Sequence, residues 1–213
     1  MVSVGGEGTE GVESRVIDLG FGEAFLPPGT HLCHIYGDAN ERDEALLRFL
    51  SQGLRNGETT ACFSDNLGAD AAAAWLARDG LSLSDEREAG HLSFASARGV
   101  YFADGRFDPE RMLDLLATFH DNAVRAGRPG ARVIGEMSAE IGRVPGGSRL
   151  LEYEAMVNRL LRERPVTAVC QYDGHAFDGA TIMDVLAIHP MLAVRGTIIH
   201  NPFFVRPEEL LSS

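Results

Sequence analysis

The chain has 213 residues, 45% of them hydrophobic and 23% charged, so it is long enough to bury a sizeable core. Its formal net charge of −12 provides no basic face for phosphates, which argues against a nucleic-acid-binding protein and against attachment to anionic lipid. The apolar runs are far shorter than the roughly 20 residues of a membrane span, and the N-terminus lacks the features of a secretory signal, so we expect a cytoplasmic protein.

The cysteine content argues against a disulfide framework. The three cysteines are Cys33, Cys62 and Cys170, an odd number, and each lies inside an apolar run. We therefore expect reduced thiols, of the kind that commonly pack as small hydrophobic side chains.

Residues 1–20 are rich in Gly, Glu and Ser, a composition typical of a flexible segment. From there to the end of the chain, no long linker, low-complexity stretch or internal repeat interrupts the pattern. The sequence therefore predicts a flexible tail over residues 1–20 and a single α/β domain over residues 21–213.

Within that domain, short runs rich in Val, Ile, Cys and Phe alternate with longer amphipathic segments. The short runs predict strands over residues 31–36, 59–64, 91–96, 131–137, 166–173 and 193–200. The amphipathic segments predict helices that begin near residues 38, 67, 108, 148 and 178 and end near 57, 80, 127, 164 and 189. This alternation indicates a parallel sheet with helices on both faces.

The first strand, "HLCHIY", contains several polar side chains. Because side chains in a strand alternate between the two faces, His31 and Cys33 share one face while His34 and Tyr36 share the other. In open parallel sheets, ligands bind beyond the carboxyl ends of the strands. The polar residues that follow each strand therefore mark that edge as the place for a binding site.

Several ordered motifs resemble the MEDS family, a sensory domain named after methanogens, methylotrophs and the regulator of dichloromethane utilisation. The resemblance covers residues 29–211 and rests on "HLCHIYGD", "LLRFLSQGLRNGE", "VCQYDG", "LAIHP" and "GTIIHNPFFVRPEELL". The family is similar to the KaiC and RecA ATPases. The resemblance therefore implies a RecA/KaiC-like three-layer sandwich with a mostly parallel central sheet.

The chain departs from those ATPases where the first strand ends. The strand leads into "GDANERDE", which has neither the G-x-x-x-x-G-K-[ST] pattern nor a lysine. The β- and γ-phosphates of ATP would lose their main contacts there, and an acidic loop would repel them. We therefore expect a protein that is not an enzyme and has no cofactor.

A RecA-like strand order implies that residues 131–137 and 166–173 are the neighbours of the first strand. It brings Cys33 or Tyr36, Glu136, and Cys170 or Tyr172 towards one crevice. The family motifs also include residues that match His31, Cys33 and His189, and His189 can alternatively cap the end of its helix. The predicted ligand-binding residues are His31, Cys33, Tyr36, Glu136, Cys170, Tyr172 and His189.

The resemblance implies a non-catalytic sensory domain in transcription regulation that binds a small apolar ligand, a hydrocarbon derivative or a one-carbon compound. Since no output segment follows residue 211, we expect it to signal to a protein partner: a kinase, an anti-sigma-type regulator or a second copy forming a homodimer. One alternative is a metal- or haem-binding sensor that uses His31, Cys33 and Cys170. However, the paired ligand spacing of most zinc sites is absent, and no metal site is predicted. Another alternative is a residual enzyme that acts through Glu136.

Overall fold

The computed structural model describes residues 16–20 and 25–210, where most strands belong to one seven-stranded sheet. The strands are β1 Ile17–Asp18, β2 Phe25–Leu26, β3 His31–Tyr36, β4 Thr59–Phe63, β5 Leu92–Ala95, β6 Ala131–Glu136, β7 Val166–Asp173, β8 Met191–Val194 and β9 Thr197–His200. The order in the sheet is β5-β4-β6-β7-β3-β8-β9, and all neighbours are parallel except β8 and β9. Strands β1 and β2 form a separate antiparallel pair.

Helices cover both faces of the sheet. They are α1 Ala39–Arg55, α2 Ala69–Arg78, α3 Leu83–Glu88, α4 Ala97–Tyr101, α5 Pro109–Arg125, α6 Leu150–Glu163, α7 Gly179–Ile188 and α8 Pro207–Leu210. One apolar core lies under α1 and α2, and a second lies under α5, α6 and α7. The predicted three-layer α/β sandwich with a mostly parallel sheet is confirmed. Over the described residues, no helix has both the length and the apolar character needed to cross a membrane.

Helix boundaries follow from capping side chains. Asp38 precedes α1 and accepts hydrogen bonds from the amides of Asn40 and Glu41. Asp108 caps α5 in the same way, with Pro109 at the first helical position, where its missing N–H costs nothing. These caps are why the predicted starts of the two helices agree with the structure.

The predicted neighbours of the first strand are only partly correct. Strand β3 pairs with β7, as expected, but its other neighbour is β8, and β6 lies beyond β7. Apolar composition indicates that a strand is buried between neighbours, but it does not say which strands those are. Strand β7 therefore separates the residues of β3 from those of β6.

The single strand predicted over residues 193–200 is instead a hairpin. Strands β8 and β9 pair antiparallel, and the turn between them has positive φ at Arg195 (50°) and Gly196 (73°). Positive φ at both central residues matches the twist of a tight two-residue hairpin. Arg195 and Gly196 are thus the turn between two strands in a run whose apolar composition predicts a single strand.

Of the tail predicted over residues 1–20, residues 1–15 lie outside the described residues. The following residues contain β1, and the side chains of Ile17 and Leu19 are buried in the core under α1. The Arg132 guanidinium also donates a 3.1 Å hydrogen bond to the Asp18 carbonyl. Residues 16–20 therefore belong to the folded domain.

Candidate functional site

The structure divides the predicted site residues between the two faces of the sheet. Cys33 and Cys170 are directly paired across β3 and β7, and both face the core under α6. Gly135 is the β6 partner of Cys170, so the next residue, Glu136, points to the opposite face. The expectation that Cys33 or Tyr36, Glu136, and Cys170 or Tyr172 share one crevice is therefore only partly correct. Tyr36 does meet Glu136, but Cys33, Cys170 and Tyr172 lie on the other face of the sheet.

On the α1 face, Glu136 is buried and holds the carboxyl edge of the sheet together. Its Oε1 accepts hydrogen bonds from the Tyr36 hydroxyl, at 3.1 Å, and from the side-chain amide of Asn66. Its Oε2 accepts one from the Ser64 hydroxyl at 2.8 Å. The Arg42 guanidinium lies 3.6 Å away. Burial, followed by the nearby Glu136 charge, raises the pKa of Tyr36. A carboxylate that already accepts three hydrogen bonds is poorly suited to act as a catalytic base.

The start of α1, where RecA-like ATPases would hold phosphate, is occupied by side chains of this chain. The Asp38 carboxylate accepts hydrogen bonds from the backbone amides of Asn40 and Glu41, and the Gly37 amide donates one to Glu41 Oε2 at 3.1 Å. An open groove of about 580 Å³ adjoins it, with three acidic and two arginine side chains in its lining. Its lining residues are His34, Asp38, Asn40, Glu41, Glu44, Ala45, Arg48, Ala193, Arg195 and Gly196. Both the capped amides and the acidic side chains disfavour a phosphate here.

On the opposite face, a polar cluster is buried beneath α6. It consists of His31, Glu154, Cys170 and His189, and the ligand-type atoms of these side chains all lie within 4.8 Å of one another. Glu154 is central to it: its Oε2 lies 3.4 Å from His31 Nε2, 3.7 Å from His189 Nε2 and 3.7 Å from Cys170 Sγ. The Tyr172 hydroxyl donates a 2.7 Å hydrogen bond to the other carboxylate oxygen, Oε1.

Hydrogen bonds around this cluster show that Nδ1 carries a proton in both histidines. Asn158 Nδ2 donates to the carbonyls of Glu154 and Ile188, so its Oδ1 must be the atom that faces His31 Nδ1, at 3.2 Å. His31 Nδ1 is therefore the protonated nitrogen. His189 Nδ1 faces the carbonyl of Val185 at 2.8 Å and must also carry a proton. His189 Nε2 consequently presents a lone pair to the cluster, and Nε2 is also the His31 atom that faces Glu154.

Burial controls the ionisation of the cluster. It lowers the pKa of His189 to about 4, with a further contribution from His31, so this imidazole is neutral at pH 7. Burial and the neighbouring Glu154 charge raise the pKa of Cys170. For Glu154 itself, burial would raise the pKa, but the contacts with His31 and Tyr172 outweigh burial and lower it. The cluster thus contains a buried carboxylate beside a neutral His189 imidazole and a protonated Cys170 thiol.

Two of the site residues predicted from the sequence, Cys33 and His189, differ in their relation to the cluster. Cys33 is fully buried in the apolar core, and its sulfur is not among the atoms that converge on Glu154. Burial raises the pKa of its thiol. His189 does make the capping contact expected at the end of α7, through the Val185 carbonyl, and its other ring nitrogen faces Glu154.

Glu154 and Asn158 were not among the site residues predicted from the sequence. Both lie in the helix predicted over residues 148–164, and the signal that could have found them is their position on its apolar stripe. Leu150, Glu154, Val157 and Leu161 recur at spacings of four, three and four, and all are buried. A carboxylate on the buried stripe of an amphipathic helix requires a partner inside the protein.

A small enclosed cavity of about 20 Å³ lies beside the cluster, between the sheet and helices α5 and α6. Its lining is almost entirely apolar or aromatic, and Cys170 belongs to both the cavity wall and the polar cluster. The lining residues are Phe63, Tyr101, Met112, Leu116, Val133, Gly135, Tyr153, Val157, Ala168, Val169 and Cys170.

Comparison with known proteins identifies relatives of this chain. The family model described as "MEthanogen/methylotroph, DcmR Sensory domain" (MEDS) matches residues 30–190. The transcriptional repressor DcmR of Methylorubrum extorquens is 28% identical over 160 residues, which cover 75% of this chain and 57% of the repressor. The chain therefore spans little more than half the length of that relative.

Solved structures with a similar fold include the KaiC-like protein PH0186 from Pyrococcus horikoshii OT3 (TM-score 0.58, 16% identity) and the flagellar accessory protein FlaH from Methanocaldococcus jannaschii (TM-score 0.60, 12% identity). In both comparisons the match covers 85% of this chain and 80% of the other. The predicted RecA/KaiC-like fold is confirmed.

Proposed function

The chain belongs to the MEDS family of sensory domains, and on that premise we propose that it is a non-catalytic sensor that binds a small apolar molecule inside its fold. The binding site is the cavity beside Cys170, and the molecule is a hydrocarbon derivative or a one-carbon compound. Occupancy is reported to a protein partner: a kinase, an anti-sigma-type regulator or a second copy of the chain. The likeness to a transcriptional repressor supports a regulatory output.

The observation that carries this proposal is the enclosed apolar cavity. Well-packed cores contain few voids larger than a water molecule, and a cavity with mostly apolar walls favours an apolar occupant over water. The walls here combine aromatic rings from Tyr101 and Tyr153 with the flexible side chain of Met112. Such walls suit a halogenated or methylated molecule of a few heavy atoms.

The size of the cavity gives the domain a means of signalling. At about 20 Å³ it has room for roughly one water molecule, so a ligand of several heavy atoms must widen it. Met112 and Leu116 on α5 are the side chains that can move, since methionine adapts readily to irregular space. Because the ligand prefers the widened state, its binding shifts the population towards a displaced α5.

The alternative of a nucleotide-driven enzyme receives no support from the site. The amides at the start of α1 already bond to Asp38, and acidic side chains line the adjoining groove. The alternative of catalysis through Glu136 is disfavoured too, because that carboxylate accepts hydrogen bonds from Tyr36, Ser64 and Asn66.

Methionine-methyl NMR tests the proposal, with dichloromethane as the probe. The chain has six methionines; Met112 lines the cavity and Met183 is exposed. We expect dichloromethane to produce a saturable shift of the Met112 methyl resonance and to leave Met183 unchanged. A Met112 resonance that stays in place at saturating dichloromethane would overturn the proposal.

A pair of matched variants locates the binding site. Ala168→Val adds two methyl groups to the cavity wall, whereas Ala61→Val makes the same change at a buried position on the same face, outside the cavity. We expect Ala168→Val to weaken dichloromethane binding at least tenfold and Ala61→Val to preserve it. Equal binding by the two variants would exclude this cavity as the site.

A further inference from the structure

We propose that His31, Glu154, Cys170 and His189 together bind one divalent transition-metal ion of the zinc type. This site adjoins the sensory cavity and shares Cys170 with it, but the proposal does not depend on the identity of the sensed molecule. It also differs from the set His31, Cys33 and Cys170 considered from the sequence, because Glu154 and His189 converge with His31 and Cys170 whereas Cys33 does not.

The distances between the four donors fit a tetrahedral ion. Metal–ligand bonds of about 2.0–2.3 Å place the ligands of a tetrahedral site about 3.3–3.8 Å from one another. From Glu154 Oε2, the separations to His31, His189 and Cys170 are 3.4, 3.7 and 3.7 Å. His31 Nε2 and Cys170 Sγ are 3.5 Å apart. The widest separation among the four atoms is 4.8 Å, so binding requires it to shorten by about 1 Å.

An unpartnered nitrogen points independently to a missing ligand. His189 is fully buried, and its Nε2 has no hydrogen-bond partner within the described part of the chain. Because Nδ1 carries the proton, Nε2 presents a lone pair, and it faces the Glu154 carboxylate oxygen at 3.7 Å. Two electron-rich atoms in this arrangement repel each other unless a positive centre lies between them.

The groups around the four donors are arranged as they are around protein metal ligands. Ligating histidines almost always donate their second N–H to a carbonyl or carboxylate, which fixes the ring and the tautomer. Here His31 donates to the Asn158 side chain and His189 to the Val185 carbonyl. Tyr172 orients Glu154 through its second oxygen, Oε1. These contacts leave one atom of each of the four side chains directed at a common point, where, among the described residues, the atoms contact only one another.

The donor types indicate the class of metal. Two imidazoles, a thiol and a single carboxylate oxygen suit Zn²⁺, Co²⁺ or Fe²⁺, whereas Mg²⁺ and Ca²⁺ prefer all-oxygen sites. Binding would deprotonate Cys170, since the thiolate is the form that ligates a metal. The alternative of a haem has no space here, because the adjoining cavity measures only about 20 Å³.

Elemental analysis and cobalt substitution test the proposal. The full chain, purified without chelators, is expected to contain close to one equivalent of zinc or iron. After removal of the metal, titration with CoCl₂ should give the visible bands of tetrahedral Co²⁺ and a near-ultraviolet thiolate-to-cobalt band, both saturating at one equivalent. A folded protein that binds no metal and develops neither band would overturn the proposal in favour of a His31–Glu154 ion pair.

Cysteine variants show whether Cys170 is the thiol that ligates the metal. Cys170→Ser should abolish the thiolate-to-cobalt band and weaken Co²⁺ binding at least tenfold. Cys33→Ser is the matched control, because Cys33 is also buried and is paired with Cys170 in the sheet. His189→Gln, which leaves the thiol in place, should weaken Co²⁺ binding but retain part of the thiolate band. An unchanged cobalt spectrum in Cys170→Ser, or its loss in Cys33→Ser, would contradict the assignment.

Discussion

The Tyr172 hydroxyl donates a 2.7 Å hydrogen bond to Glu154 Oε1, and both side chains are completely buried. Tyr172→Phe removes this donor and leaves a buried carboxylate oxygen unsatisfied, so we expect a loss of about 2 kcal/mol in unfolding free energy. Urea denaturation followed by circular dichroism measures it. Tyr36→Phe is the matched comparison, and we expect it to cost only about 1 kcal/mol, because Glu136 retains Ser64 and Asn66 as donors. Equal losses in the two variants would contradict this interpretation.

The buried ion pair of Arg132 and Glu58 links β6 to the end of α1. Arg132 Nε donates to Glu58 Oε2 at 2.6 Å, and its Nη1 donates to the Phe49 carbonyl at 3.2 Å. Glu58→Gln would remove a negative charge that the buried Arg132 guanidinium contacts directly, and we expect it to cost about 3 kcal/mol in unfolding free energy. The exposed pair Arg48–Glu44 provides the control: Glu44→Gln should cost less than about 1 kcal/mol. Similar values for the two variants would show that burial does not control the effect.

His34 makes stability depend on pH in the acidic range. Burial lowers the pKa of this side chain from 6.5 to about 4, and the Glu41 charge opposes the shift only partly. Between these pH values the unfolded chain binds a proton that the folded chain does not, so unfolding free energy falls as pH decreases from 6.5 towards 4. The contribution is on the order of 3 kcal/mol. Comparing urea titrations of the wild type and His34→Gln across this range isolates it, and parallel pH profiles would contradict the prediction.

Most of the fold could be predicted from the sequence, because caps and periodicity are local properties. Asp38, Asp108 and Pro109 fixed the starts of two helices, and the apolar runs located six of the strand regions. The neighbours of β3 could not be read in this way, since strand order depends on crossovers between distant segments.

The site was harder to predict for the same reason. His31, Cys170 and His189 were identified, but their meeting with Glu154 depends on α6 crossing above β3 and β7. Because side chains alternate along a strand, Cys33 and Tyr36 point to opposite faces of the sheet. Cys170 and Glu136 point to opposite faces for the same reason. Knowing that β7 lies between β3 and β6 makes this second separation evident.

A crystal structure of the protein soaked with dibromomethane would test the sensory account most directly, because bromine gives an anomalous signal that locates the molecule. Our account predicts bromine peaks in the cavity enclosed by β6, β7, α5 and α6, in contact with Met112 and Cys170 and with α5 displaced outward. Peaks confined to the groove beside His34 and Arg195, or an empty cavity at saturating dibromomethane, would contradict it.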